Sequence, residues 1–239
     1  MQKKKKTQKK PEPPKVVVDH DLAKVEEQHN VIFKPNAGPQ TDFLAAGERE
    51  VLYGGSAGGG KSYAMLADPL RFMGHPSFSG LLLRHTTEEL RELIFKSQEM
   101  YPKIWPGIKW SERKMQWTAP SGARLWMSYL DKEDDVLRYQ GLAFSWIGFD
   151  ELTQWPTPFA WNYMRSRLRS TAHDLPVYMR ATTNPGGRGH HWVKKMFIDP
   201  AAHNKSFDAT DIETTEVLRY PAGHEKAGKA LFKRKFIPA

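Results

Sequence analysis

No cysteine occurs among the 239 residues. That excludes a disulfide framework, a thiol nucleophile and a thiolate metal site, and it leaves the redox compartment open. Long apolar runs are also missing: none approaches the roughly 20 residues that a membrane helix needs. The N-terminus is basic, but no apolar segment follows it, so no secretory signal is expected. Net positive charge is missing from the body of the chain. The net charge is +9, yet residues 1–15 carry +6 and residues 226–239 carry +5, which leaves −2 for residues 16–225. A uniformly cationic surface is therefore excluded, and any nucleic-acid footprint written in net charge lies at the two ends. The sequence does hold apolar and aromatic residues, 39% and 12% of the chain, enough for a packed core. The length suits one large domain with appendages.

Four regions follow from the texture of the sequence. Residues 1–15 are a Lys/Gln/Pro segment with the composition of a disordered basic tail. Residues 16–50 form an N-terminal segment, with a short polar helix expected over 19–30 and another around Phe43–Ala46. Residues 51–200 alternate apolar runs with polar or glycine-rich breaks. Strands are expected at Val51–Tyr53, Leu81–Leu83, Ser145–Phe149 and Val177–Ala181, with a hairpin over Lys114–Thr118 and Ala123–Leu130. Thr86 and Glu89 have capping-box spacing, which predicts a helix running to about Met100. Thr157-Pro158 predicts a second helix running to about Ser170. Residues 201–239 read as a small lid or linker. Strands alternating with helices predict an α/β domain built on a mainly parallel sheet. Ligands of such sheets sit beyond the carboxyl ends of the strands.

Gly55-Ser56-Ala57-Gly58-Gly59-Gly60-Lys61-Ser62 matches G-x-x-x-x-G-K-[ST], the P-loop or Walker A pattern. Glycines let backbone N–H groups close on phosphate oxygens, Lys61 neutralises the β- and γ-phosphates, and the Ser62 hydroxyl ligates Mg²⁺. A second pattern lies 89 residues after Lys61, where the apolar run Phe144–Phe149 ends in Asp150-Glu151. This is a Walker B arrangement: Asp150 supports Mg²⁺, and Glu151 polarises the water that attacks the γ-phosphate. A second acid favours ATP hydrolysis coupled to work. The third pattern is Thr182-Thr183-Asn184 at the end of the next strand, where hydroxyl and amide groups can sense the γ-phosphate. The following Pro185-Gly186-Gly187 also suits a plain strand-end turn.

These motifs, in this order, resemble the ATPase domain of tailed-phage terminase large subunits. The resemblance spans roughly residues 30–200 and implies a RecA-like P-loop NTPase. Phe33-Lys34-Pro35 with Gly38-Pro39-Gln40 is similar to the family's adenine-binding segment, which implies that Gln40 reads the adenine edge with Phe33 or Phe43 packing near the base. Leu82-Leu83-Arg84 resembles the second strand, and Tyr139-Gln140-Gly141-Leu142 the approach to Walker B. Ala181–Gly186 resembles the coupling motif, which assigns Thr182, Thr183 and Asn184 to coupling. The implied cofactors are ATP and Mg²⁺. The implied partners are double-stranded DNA, a portal protein and a small terminase subunit. The implied assembly is a homo-oligomeric ring, with a monomer in isolation allowed, in the host cytoplasm and docked on a procapsid. No membrane is implied.

Two departures from the family pattern stand out. Many members carry an Arg inside the Walker A loop, and SAGGG has none; Arg138 is the candidate finger for a neighbouring subunit's nucleotide, beside the reading of an ordinary surface Arg. The sequence ends where a nuclease domain with an Asp cluster would start, so nuclease activity is not expected of residues 1–239. Other groups read more weakly. Arg165, Arg167 and Arg169 suit either a DNA-lining helix face or a solvated one. Trp146, Trp155, Trp161 and Trp192 suit the core. His190-His191 lacks a third ligand. A helicase-type translocase and a nucleotide-gated DNA-binding scaffold remain alternatives.

Overall fold

The computed structural model describes residues 32–55 and 58–239. The basic tail, the helix expected over residues 19–30, and Ser56 and Ala57 of the glycine-rich loop lie outside the described residues. Helix α1 spans Pro39–Ala45, with proline in its first turn. Strand β1 (Glu50–Gly54) leads through the loop into α2 (Lys61–Ala67), which tightens into a 3-10 segment over Asp68–Phe72. Then come β2 (Ser79–Arg84), α3 (Thr87–Ile104), β3 (Lys109–Ser111), β4 (Gln116–Thr118) and β5 (Arg124–Tyr129). A 3-10 segment, Glu133–Tyr139, precedes β6 (Trp146–Phe149), α4 (Phe159–Arg165) and β7 (Tyr178–Thr183). Helix α5 (His190–Val193) runs on as a π-helical turn to Ile198, and β8 (Ser206–Asp208) and β9 (Lys233–Pro238) follow.

All nine of these strands form one sheet, in the order β3-β4-β5-β2-β6-β7-β1-β9-β8. The six from β5 to β9 in that order are mutually parallel, and antiparallel pairs occur only at the two edges. Central strands covered on both faces read as continuous apolar runs because neither face meets water. Side chains alternate between the two covers. Val51, Tyr53 and Leu82 join the core beneath α1, α2 and α3, while Leu52, Leu81, Leu83, Phe149 and Met179 join the core beneath α4 and α5.

The local signals act as their chemistry requires. Thr86 Oγ1 accepts the Glu89 N–H, and the Glu89 carboxylate accepts the Thr86 N–H, so both halves of the capping box form. Helix α3 buries Leu90, Leu93, Ile94, Ser97, Met100, Tyr101 and Ile104, one face at three- and four-residue spacing. Trp146, Trp155, Trp161 and Trp192 are all buried.

Three differences from the sequence reading have physical causes. Helix α4 ends at Arg165 rather than near Ser170. Arg167 O accepts the Phe144 N–H and the Arg169 N–H bonds Phe144 O, so strand-like pairing replaces the helix and buries Leu168. Arg167 and Arg169 therefore lie off the helix. Second, residues 201–239 do not stand apart from the core. Strand β9 pairs in parallel with the whole of β1, Glu50–Gly54 against Arg234–Pro238, and Ile237 is fully buried between the covers. Third, one charge of the basic C-terminal segment lies inside the fold, while Lys226, Lys229 and Lys233 stay exposed. Arg234 is 1% exposed and donates from Nε to Glu50 at 2.7 Å, and Arg165 binds the other oxygen of the same carboxylate. Arg180 is buried as well, donating to the carbonyls of Ala46 and Glu48. Arg165, Arg180 and Arg234 are thus structural counter-ions and backbone ties, not a DNA-facing row.

Candidate nucleotide site at the sheet edge

The glycine-rich loop begins where β1 ends, at the carboxyl edge of the parallel strands. Gly55 has φ 145°, and a Cβ there would sit 2.9 Å from the backbone N of Ala239, whose N–H bonds Gly54 O. Gly60, at φ 68°, is the left-handed residue that turns the chain into α2. Lys61 opens that helix, is 6% exposed, and donates from Nζ to Gly55 O at 3.4 Å. Burial holds its ammonium below the usual lysine range, opposed by the negative charges of Glu151 and Asp150. Ser62 follows, half-buried.

Strand β7 lies between β1 and β6 in the sheet, so Thr182 and Thr183 end between the loop on one side and Asp150-Glu151 on the other. Two strand spacings separate β1 from β6, roughly 10 Å. Asp150 is fully buried, and its Oδ1 accepts the Thr182 hydroxyl. Its Oδ2 meets Arg84 Nε at 3.1 Å as an ion pair that lacks hydrogen-bond alignment. Arg84 is the site residue whose role the sequence reading missed. It ends β2, the strand beside β6, and only a basic residue at a strand end marked it.

Glu151 has φ 62°, a left-handed conformation rare for a residue with a side chain. Its carboxylate accepts the Asn184 N–H at 3.0 Å and the Asn184 side-chain Nδ2 at 2.7 Å. Its own N–H donates to Thr182 Oγ1 at 3.1 Å. Burial, then the charge of Asp150, push its pKa above the ordinary glutamate value, against the pull of the Asn184 N–H, Arg84 and Lys61. Thr183 Oγ1 donates to Thr153 Oγ1 at 2.9 Å, tying the strand end to the segment after Walker B.

The N-terminal segment packs under the same loop. Gln40 is buried; its Oε1 accepts the Asn36 N–H, and its Nε2 donates to Gly60 O at 2.8 Å. Phe43 is fully buried and stacks on Tyr53 with ring centroids 5.3 Å apart, so it is a core residue rather than a base platform. Phe33 is partly buried against the same core. Arg138 does not join the loop. It lies beyond the end of β5, four strands from β1 or roughly 19 Å. Its guanidinium donates to Tyr129 O and Asp135 O and packs over the rings of Tyr129 and Tyr139.

The donors near the acids fit a hard divalent cation. Asp150 Oδ2 is buried and faces only the misaligned Arg84 Nε, Ser62 offers a hydroxyl, and no sulfur or imidazole intrudes among the residues named.

A parallel sheet with a Walker A loop after β1, two acids after β6 and an intervening strand bearing hydroxyls defines a RecA-like P-loop nucleoside-triphosphatase fold. Residues 52–230 match the family model for the N-terminal region of T4likevirus-type terminase large subunits, and the chain belongs to that family. The large terminase ATPase domain of Thermus phage P74-26 superposes with a TM-score of 0.55 at 11% identity, covering 87% of this chain and 81% of that one. The large terminase of a thermophilic bacteriophage gives 0.49 at 17% identity, covering 68% and 43%. The N-terminal domain of the DNA packaging ATPase from bacteriophage phi29 gives 0.46 at 18% identity, covering 64% and 79%. The first of these likenesses speaks to the fold. Comparison with curated proteins finds no match.

Proposed function

We propose that this chain hydrolyses ATP to drive double-stranded DNA into a viral procapsid, as the motor domain of a terminase large subunit. The observation that carries the reading is the convergence of Lys61, Asp150 and Glu151 at one sheet edge, at the ends of β1 and β6 with β7 between them, from positions 89 residues apart. Lys61 and the backbone amides from Gly55 to Ser62 bind the phosphates. Ser62 and Asp150 hold Mg²⁺, which supplies neutralisation of phosphate charge when bound. Glu151 accepts a proton from the attacking water as its oxygen bonds to the γ-phosphorus. The bond to the β-phosphate oxygen breaks, leaving ADP and inorganic phosphate. Gln40 keeps one N–H and one lone pair for the adenine edge.

Thr182 links the two steps because its hydroxyl touches both Asp150 and the Glu151 backbone. A change in phosphate state felt at either acid reaches β7 directly. Arg138, anchored far from its own loop, suits a finger for a neighbouring subunit in a ring. The portal, the small terminase subunit and DNA are the partners of that ring, docked on the procapsid in the host cytoplasm.

The test is steady-state phosphate release by the chain with DNA and portal present. Lys61→Ala is expected to abolish both nucleotide binding and phosphate release. If Lys61→Ala binds and hydrolyses ATP as the parent does, the loop is not the site.

A further inference from the structure

The loop from Gly58 to Gly60 carries no side chain that can fix how its peptide planes face. Glycine takes left- and right-handed backbone conformations with similar ease, so such planes flip readily unless something outside the loop holds them. The Ala64 N–H of α2 bonds Gly60 O at 3.0 Å, and two buried side chains hold the two carbonyls from the other side of the loop. Tyr53, the fourth residue of β1 and 1% exposed, donates its hydroxyl to Gly59 O at 2.6 Å. Gln40 donates Nε2 to Gly60 O at 2.8 Å. In a trans peptide the N–H of the next residue points opposite to the carbonyl, and the described residues contain no cis peptide. Drawing the two carbonyls down toward the core therefore aims the N–H groups of Gly60 and Lys61 outward, away from Tyr53 and Gln40. Reversed planes would face carbonyl oxygens toward an incoming anion instead.

We infer that Tyr53 and Gln40 are positioning residues that clamp the loop carbonyls and so preset the amides for phosphate. The neighbours of the clamp are themselves fixed. Tyr53 stacks on Phe43 of α1, the helix that carries Gln40. The second end of the Gln40 carboxamide is held by the Asn36 N–H. A Cβ on Gly60 would lie 2.6 Å from Gln40 Nε2, so the clamp itself demands glycine at that position. Gln40 thereby acts on any triphosphate whatever its base, in addition to any contact with adenine.

The inference rests on the reading of this loop as a phosphate site. Its test uses the full chain and calorimetric titration with MgATP, MgGTP and inorganic tripolyphosphate. Tyr53→Phe removes one hydroxyl and keeps the ring on Phe43. It is expected to weaken all three ligands by the same factor, about fivefold, the net worth of one hydrogen bond. Gln40→Ala is expected to weaken tripolyphosphate as well, and it supplies the same test if Tyr53→Phe folds poorly by thermal unfolding. Unchanged tripolyphosphate affinity in folded variants overturns the clamp, even where ATP alone is weakened, since that pattern is base recognition. A parent chain that binds neither nucleotide nor tripolyphosphate fails earlier and takes the ATP-site reading down with it.

Discussion

Glu151 and Asn184 are joined twice, through the Asn184 backbone N–H at 3.0 Å and its side-chain Nδ2 at 2.7 Å. The proposed base is therefore aimed by the proposed coupling motif, and one residue of β7's exit sets where the carboxylate points. Asn184→Ala keeps the backbone donor and removes the other. A hydrogen bond to a charged group contributes about 1.5–3 kcal/mol. The expected outcome is a kcat lower by about tenfold or more, with KM for ATP little changed. A variant that hydrolyses ATP as fast as the parent, or faster, would show that the contact restrains Glu151 rather than aligning it.

The electrostatics of Glu151 make a pH prediction. Burial and Asp150 raise its pKa, so the carboxylate needed as a base appears at higher pH than for an ordinary glutamate. The acidic limb of the kcat profile should lie above the usual glutamate range. Arg84 is one of the charges that lowers this pKa. Arg84→Gln should therefore move the limb further up. A limb that stays put or moves down in Arg84→Gln assigns the titration to another group.

Arg138 is anchored at the end of β5, four strand spacings from the β1 that leads into its own loop. If it serves a neighbour, two inactive variants should rescue each other. Arg138→Ala subunits retain Glu151, and Glu151→Ala subunits retain the finger. Mixed assemblies are then expected to recover part of the parent ATPase rate, against a finger contribution of about 10³–10⁵. Absence of recovery at every mixing ratio would return Arg138 to its structural role at Tyr129 and Asp135.

At the opposite end of β1, Glu50 is the buried hub for Arg165, Arg234 and Trp161. Burial opposes its charge most strongly, yet the two guanidiniums hold its pKa below the ordinary value. A depressed carboxylate contributes stability above its unfolded pKa, and that contribution is lost as pH falls through the lower folded value. Unfolding curves should therefore show this loss beginning below about pH 4.5, the ordinary glutamate value. Glu50→Gln leaves two arginines facing a neutral group. Its expected cost is about 3–5 kcal/mol in denaturant unfolding at neutral pH. A cost under 1 kcal/mol would mean that the hub is not a structural tie.

Much of the candidate site was legible in the residues alone because its proposed chemistry is local. A phosphate loop needs its glycines, lysine and serine in one short run, and Asp150-Glu151 announces itself as two acids after an apolar strand. The capping box at Thr86 and Glu89 is likewise complete within four residues, and both of its bonds form. Parallel pairing is different, since strands distant in sequence meet only when the sheet assembles. No local pattern told that β7 would lie between β1 and β6, which sets the Thr182 hydroxyl on Asp150. None told that Arg84 would face Asp150 from β2, or that Arg234 would reach Glu50 across 184 residues. Arg234 illustrates the limit most plainly: composition counted it among five basic residues of an expected lid or linker, and pairing with Glu50 made it alone of the five part of the core. Short-range chemistry marked the nucleotide loop and its acids; long-range strand order decided which groups touch them, because contact across a sheet depends on register and neighbours rather than on sequence distance.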